Sequence, residues 1–193
     1  MIRIVTDTTS GLTLEMAKAL GVVLIPQIVT VGGETYRDDR ELDTAMFLEK
    51  LRSSPDLPKT AAPPPALFEP FFDECQSRGE TVICLHPSQK VSGTVRSATV
   101  ARQNFPDLDA RVIDTGVVAA PLATIVRLAA QWAQDGLDAD TIVARTEDLS
   151  QRSRIFFVVD TLEYLRRGGR IGAASALLGS LLRIKPILCW DDA

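Results

Sequence analysis

The stretch TVICLHPSQKVSGTVRSATVAR, residues 81–102, decides the reading of the fold. It opens with a short continuous apolar run, TVICL, of the kind that fills a strand buried on both faces. The chain then passes through hydroxyls, a glycine and two cations before apolar residues return three and four apart, the spacing of a helix. Strand, polar turn and helix in that order make one βα unit. The turn SGT at 92–94 has two readings. Ser92 and Thr94 are good helix-capping residues. They are also donors beside free N–H groups that favour an anion, with Gly93 allowing close backbone approach.

The same alternation runs outward in both directions. Strands are expected at IRIVT (2–6), VVLIPQIVTV (22–31), RVID (111–114), IFFVV (155–159) and RIKPILCW (183–190). Between them LTLEMAKALG, DTAMFLEKLRSS, PALFEPFFDECQSRG, VVAAPLATIVRLAAQWAQDG and DADTIVARTEDLSQRS carry helical spacing, several ending at glycine. Gly32-Gly33 predicts one hairpin, the single antiparallel element, and LPKTAAPPP (57–65) reads as a proline-rich loop leading into a helix. The fold class is therefore α/β, with a mainly parallel sheet flanked by helices. Near residue 153 the character changes to a Gly-Gly pair, a cationic cluster, a small-residue helix and a last strand. The expected division is residues 1–152 as an N-terminal α/β domain and 153–193 as the start of a second one. Asp191-Asp192-Ala193 directly follows an apolar strand, so that second domain reads as incomplete or reliant on a partner.

Composition narrows the function. The 193 residues are 46% hydrophobic and 24% charged, enough for a sizeable core. A net charge of -4 argues against nucleic acid, whose phosphates demand a basic face. Cys75, Cys84 and Cys189 are odd in number and far apart, which fits reduced thiols in a cytoplasm. With His86 as the one histidine and no metal spacing, no metal site is expected. The opening MIRIVTD already reads as a strand, with no signal peptide ahead of it. No apolar run is long enough to cross a bilayer, so the protein is not expected to be integral to a membrane.

Three further stretches could carry chemistry. VTDTTSG (5–11) leaves the first strand through Asp7 and Thr8, where open α/β sheets bind ligands. The position two residues after Asp7 is Thr9, so an aspartyl-nucleophile phosphatase lacks its second carboxylate, and capping of the next helix is the competing account. Thr60 lies in the proline-rich loop, where a lone threonine is usually structural. LRRGGRIG (165–172) matches neither a dinucleotide nor a P-loop fingerprint. Its arginines could hold a phosphate or simply end a helix. Ser92 has neither a G-x-S-x-G setting nor a well-placed imidazole, which weakens any serine-nucleophile reading.

Taken together, IVTDTTSGL, VVLIPQIVTVGGETYRDD, PKTAAPPPALFEPF, HPSQKVSGTVRSA, RVIDT and FVVDTLEYLRRGGRIGAASALLGSLLRIKPIL resemble the DegV family of bacterial fatty-acid-binding proteins. The resemblance implies a two-domain α/β protein holding a long-chain fatty acid between its domains. It implies no catalytic residue and no cofactor. The partner would be a separate fatty acid kinase, related to dihydroxyacetone kinases, that phosphorylates the acid for phospholipid synthesis. The family's carboxylate-holding hydroxyls fall on Thr60 and Ser92, with Gly93 beside them. Asp7, Thr8, Thr94 and Arg170 become possible head-group or kinase contacts. The family's TSQP loop reads TAAP here, and Val95 and Arg96 replace a tyrosine and a glutamine. Family members also continue past the last strand, with a histidine near the head group in that added segment. Two rivals stand beside this reading: a small-molecule enzyme acting on a phosphorylated or carboxylated metabolite, and a truncated interaction module that binds no lipid.

Overall fold

The computed structural model describes residues 1–177 and 185–190. Its strands are β1 (Ile2–Asp7), β2 (Val23–Ile25), β3 (Ile28–Val31), β4 (Glu34–Arg37), β5 (Lys59–Ala61), β6 (Thr81–His86), β7 (Ala110–Asp114), β8 (Ile155–Val158) and β9 (Ile187–Trp190). Its helices are α1 (Leu14–Leu20), α2 (Thr44–Ser53), α3 (Glu69–Arg78), α4 (Thr94–Arg102), α5 (Ala120–Gln134), α6 (Ala139–Arg152) and α7 (Glu163–Arg167). A parallel sheet in the order β2-β1-β6-β7 forms the centre.

Strand periodicity divides the core in two. Side chains alternate across a pleated sheet, so Ile4, Ile83, Leu85 and Ile113 face one side and meet α1, α5 and α6. Val5, Val82, Cys84 and Ala110 face the other and meet Phe68, α3 and α4. Phe68 and Phe72 are wholly buried there, each contributing about 1.5–3 kcal/mol. Burial pushes the Cys75 thiol up to about 12 and raises the Cys84 thiol as well, so neither is poised to react.

Two expectations about strands are corrected. The run 22–31 is not one strand: it breaks at Pro26-Gln27, and its halves join different sheets. Proline has no N–H for a ladder, and the Gln27 N–H turns to the Thr8 hydroxyl at 3.0 Å. The proline-rich loop also contains a strand, β5, which pairs antiparallel with β3 through Val29↔Thr60. It lies at the edge of the order β4-β3-β5, where flanking prolines are tolerated. The Gly32-Gly33 turn between β3 and β4 is as expected, with both glycines at positive φ (62° and 82°).

A second antiparallel element, the pairing of β8 with β9, was not expected. The Trp190 indole N–H donates to the Gly116 carbonyl at 2.9 Å and ties it to the loop after β7. Of the strand expected at 183–190, residues 187–190 are β9, while 183–184 lie outside the described residues. The small-residue segment is a 3-10 helix over Gly172–Leu177, and 178–182 and 191–193 also lie outside.

Sheet order places the site. β1 and β6 are neighbours, yet the chain leaves β1 for α1 on one face and β6 for α4 on the other. Diverging exits at the carboxyl ends of adjacent parallel strands open a crevice between them.

Candidate functional site

Asp7 ends β1 and His86 ends β6, and both side chains are fully buried behind that crevice. A carboxylate only accepts, so His86 Nδ1 donates to Asp7 Oδ2 at 2.8 Å. Asp7 Oδ1 accepts from the Thr9 N–H at 2.9 Å, the Thr9 hydroxyl and Gln27 Nε2 at 3.1 Å. Burial pushes the Asp7 carboxyl up, but the hydrogen bond and attraction of His86 and the two Thr9 donors outweigh it. The net position is below the ordinary carboxylate value. Gln27 Nε2 also donates to Thr94 Oγ1 at 3.0 Å, and the Thr94 hydroxyl lies 2.8 Å from Ser92 Oγ. A polar chain therefore runs from His86 beneath the sheet end to Ser92 at the surface.

Capping explains part of these motifs. Asp7 caps the 3-10 turn Thr8–Ser10, while α1 is capped by Thr13, whose hydroxyl accepts from Met16 N–H at 3.1 Å. Gly93, not Ser92, is the N-cap of α4. Ser92 Oγ still accepts from the Thr94 N–H at 3.3 Å.

The crevice is a cleft of about 320 Å³. Thr8, Thr60, Ser92, Gly93 and Arg170, which come from four separate stretches of sequence, all stand on its wall. Asp7 and Thr94 do not, contrary to their reading as possible head-group contacts: both are completely buried behind the wall. A Cβ at Gly93 would lie 3.4 Å from that of Ala62, so the short side chains of TAAP let the two loops close on each other.

Gln27 and Asp38 also line the cleft, and neither was anticipated. Gln27 had a signal: an amide inside a ten-residue, mostly apolar run needs a partner when buried. Asp38 had none, since its approach to Thr8 (2.8 Å) depends on how β3 and β4 fold back. Burial raises the Asp38 carboxyl above its usual range, assisted by Asp39 and Asp7, although the Thr8 hydroxyl partly opposes this. Lys90 and Arg96 are exposed.

A second, apolar hollow of about 720 Å³ shares Val91 and Arg170 with the cleft. Phe157, Leu165, Ile171, Leu177 and Leu188 line it. Hydroxyl donors at one end and an apolar trough at the other suit an amphiphile with an anionic head. Among the described residues, no cluster of three or more His, Cys, Asp or Glu could hold a metal, and no helix is long and apolar enough to cross a membrane.

An α/β protein with its cleft at a topological switch point belongs to the ligand-binding doubly wound class. Comparison with known proteins makes this specific: the chain belongs to the DegV family, described as "Uncharacterised protein, DegV family", which it matches over residues 1–193. A DegV domain-containing protein of Halalkalibacterium halodurans is 40% identical over 192 residues, which cover 99% of this chain and 68% of that protein. A solved fatty-acid-binding DegV family protein from Thermus thermophilus aligns with a TM-score of 0.90 at 37% identity, covering 99% of this chain and 68% of that one. DegV from Bacillus subtilis, a fatty acid binding protein, gives 0.88 at 33% identity, covering 98% and 68%.

Proposed function

We propose that this protein binds a long-chain fatty acid, with the carboxylate held by the Ser92 and Thr60 hydroxyls beside Gly93 and the chain lying in the apolar hollow. The observation that carries the reading is the continuity of the donor-lined cleft with that hollow through Val91 and Arg170. The fatty-acid-binding DegV structures at 37% and 33% identity support it. Each buried methylene gains about 0.8 kcal/mol, so a long acyl chain dominates affinity and the head group mainly needs orientation. Neutral hydroxyl donors orient a carboxylate without locking it in an ion pair. Its oxygens stay available to attack a phosphoryl donor.

In this reading the protein is a cytoplasmic carrier, not an enzyme. A separate fatty acid kinase, docking near Arg170, converts the bound acid to an acyl phosphate for phospholipid synthesis. The arrangement around Ser92 supports a non-catalytic role. Among the described residues the partners of its hydroxyl are the Thr94 hydroxyl and N–H, with no imidazole among them, while His86 is completely buried. We assign residues 153–193 to the start of a second domain whose first contribution is the wall of the hollow. Calorimetric titration with palmitate tests the binding: a saturable 1:1 isotherm is expected, and no heat from delipidated, folded protein overturns the reading.

Asp38 puts a negative charge on the same wall. Asp38→Asn removes like-charge repulsion and relieves a carboxylate that burial already disfavours. Palmitate affinity is expected to rise several-fold with no loss of thermal stability. A fall in affinity would place Asp38 on the attractive side of the site.

A further inference from the structure

We propose that Gln27, held by Asp7, fixes the Ser92 hydroxyl as a donor-only group facing the cleft, so that the site selects an anionic head group over a neutral one. The inference rests on the fatty-acid reading above and adds the origin of its head-group selectivity.

The argument is one of hydrogen-bond direction. Asp7 is an ionised acceptor, held so by His86 and Thr9. The Gln27 side-chain atom facing it at 3.1 Å must therefore be the NH₂ nitrogen, which sets the amide orientation. The second hydrogen of that nitrogen points to Thr94 Oγ1 at 3.0 Å, so Thr94 accepts there. Thr94 is fully buried, and a buried hydroxyl proton needs an acceptor. Among the described residues that acceptor is Ser92 Oγ, 2.8 Å away. Ser92 Oγ then accepts from both the Thr94 hydroxyl and the Thr94 N–H. Its lone pairs are occupied inside, and its one proton is left for the cleft. A carboxylate, which only accepts, matches that polarity. Charge also makes the bond about twice as strong as a neutral one.

Gln27→Glu tests this with almost no change of shape. An ionised glutamate on the cleft wall would also repel laurate, so the uncharged pair Thr94→Val and Thr94→Ser is titrated alongside it. A glutamate at 27 has no proton to offer Thr94 when ionised, and when protonated it gives its one proton to Asp7. In either state Thr94 donates to residue 27 and accepts from Ser92. The chain reverses, and Ser92 turns a lone pair to the cleft. Binding of laurate and of 1-dodecanol would be titrated on the delipidated wild type and the variant, with circular dichroism reporting the fold. Laurate affinity is expected to fall about tenfold or more, while 1-dodecanol, whose own hydroxyl can donate, binds as before.

Equal losses for acid and alcohol, or unchanged laurate affinity, would overturn the proposal, because a merely structural role moves both ligands together. Wild-type protein that binds neither ligand would instead overturn the fatty-acid reading on which it rests. Thr94→Val and Thr94→Ser read the same chain one link later, and do so even should Gln27→Glu not fold. Thr94→Ser keeps the preference for laurate and Thr94→Val loses it; a Thr94→Val protein with the full preference contradicts the proposal.

Discussion

Replacing Ser92 with Ala and Thr60 with Val together is expected to lower palmitate affinity by about 100-fold or more. Hydrogen bonds to a charged group contribute about 1.5–3 kcal/mol each, and about 1.4 kcal/mol is tenfold in affinity. The two hydroxyls reach the cleft from different elements, Ser92 from the turn before α4 and Thr60 from β5. Their losses should therefore add, apart from coupling through the ligand. Residual binding is expected to persist, since the apolar hollow is untouched. Titration of each single variant and the double variant checks this. A double variant with wild-type affinity would remove the carboxylate site from the account.

His86→Ala is expected to cost about 3–5 kcal/mol of folding stability, the range for leaving a buried charge, here the Asp7 carboxylate, without its partner. His86 and Asp7 are both completely buried, 2.8 Å apart, and the imidazole packs edge-on against Phe68 at 5.6 Å. Without the ring, Asp7 keeps the Thr9 and Gln27 donors but loses the strongest influence opposing its burial. The pH dependence has a definite sign. In the wild type the Asp7 pKa is depressed, so its contribution is present above the unfolded value near 4 and is lost as pH falls through the folded value. In the variant burial prevails and that acid loss disappears. The stability gap between the two proteins, measured by urea unfolding, should narrow as pH falls below about 4. A constant gap across that range would mean that Asp7 and His86 are not electrostatically coupled.

Most of the parallel sheet was legible because β1, β6 and β7 are each a short run followed by helical spacing, as in TVICL before GTVRSATVAR. The run 22–31 was misread because apolarity alone does not reveal that two halves of a strand-like segment enter different sheets. Pro26 carried that information as a missing N–H. β5 was hidden by prolines on both sides, whose effect is mild only at an edge, and edge position is a tertiary fact. Within the site, resemblance named the hydroxyls on the wall, but not the layer behind them. Asp7 and Thr94 looked like ligand contacts because both are polar residues at strand or helix ends. The register of β1 beside β6 buries them and gives them each other's neighbours, Gln27 above all. His86, the one imidazole in the sequence, is separated from Ser92 by the turn through Ser88, whose carbonyl accepts from the Ser92 N–H at 3.1 Å.

The most direct test of the central claim is mass spectrometry of the organic extract from freshly purified protein, with the folded state checked on the same sample. The account predicts a long-chain fatty acid in near-stoichiometric amount. Folded protein that yields no fatty acid, and takes none up when palmitate is supplied, would contradict it.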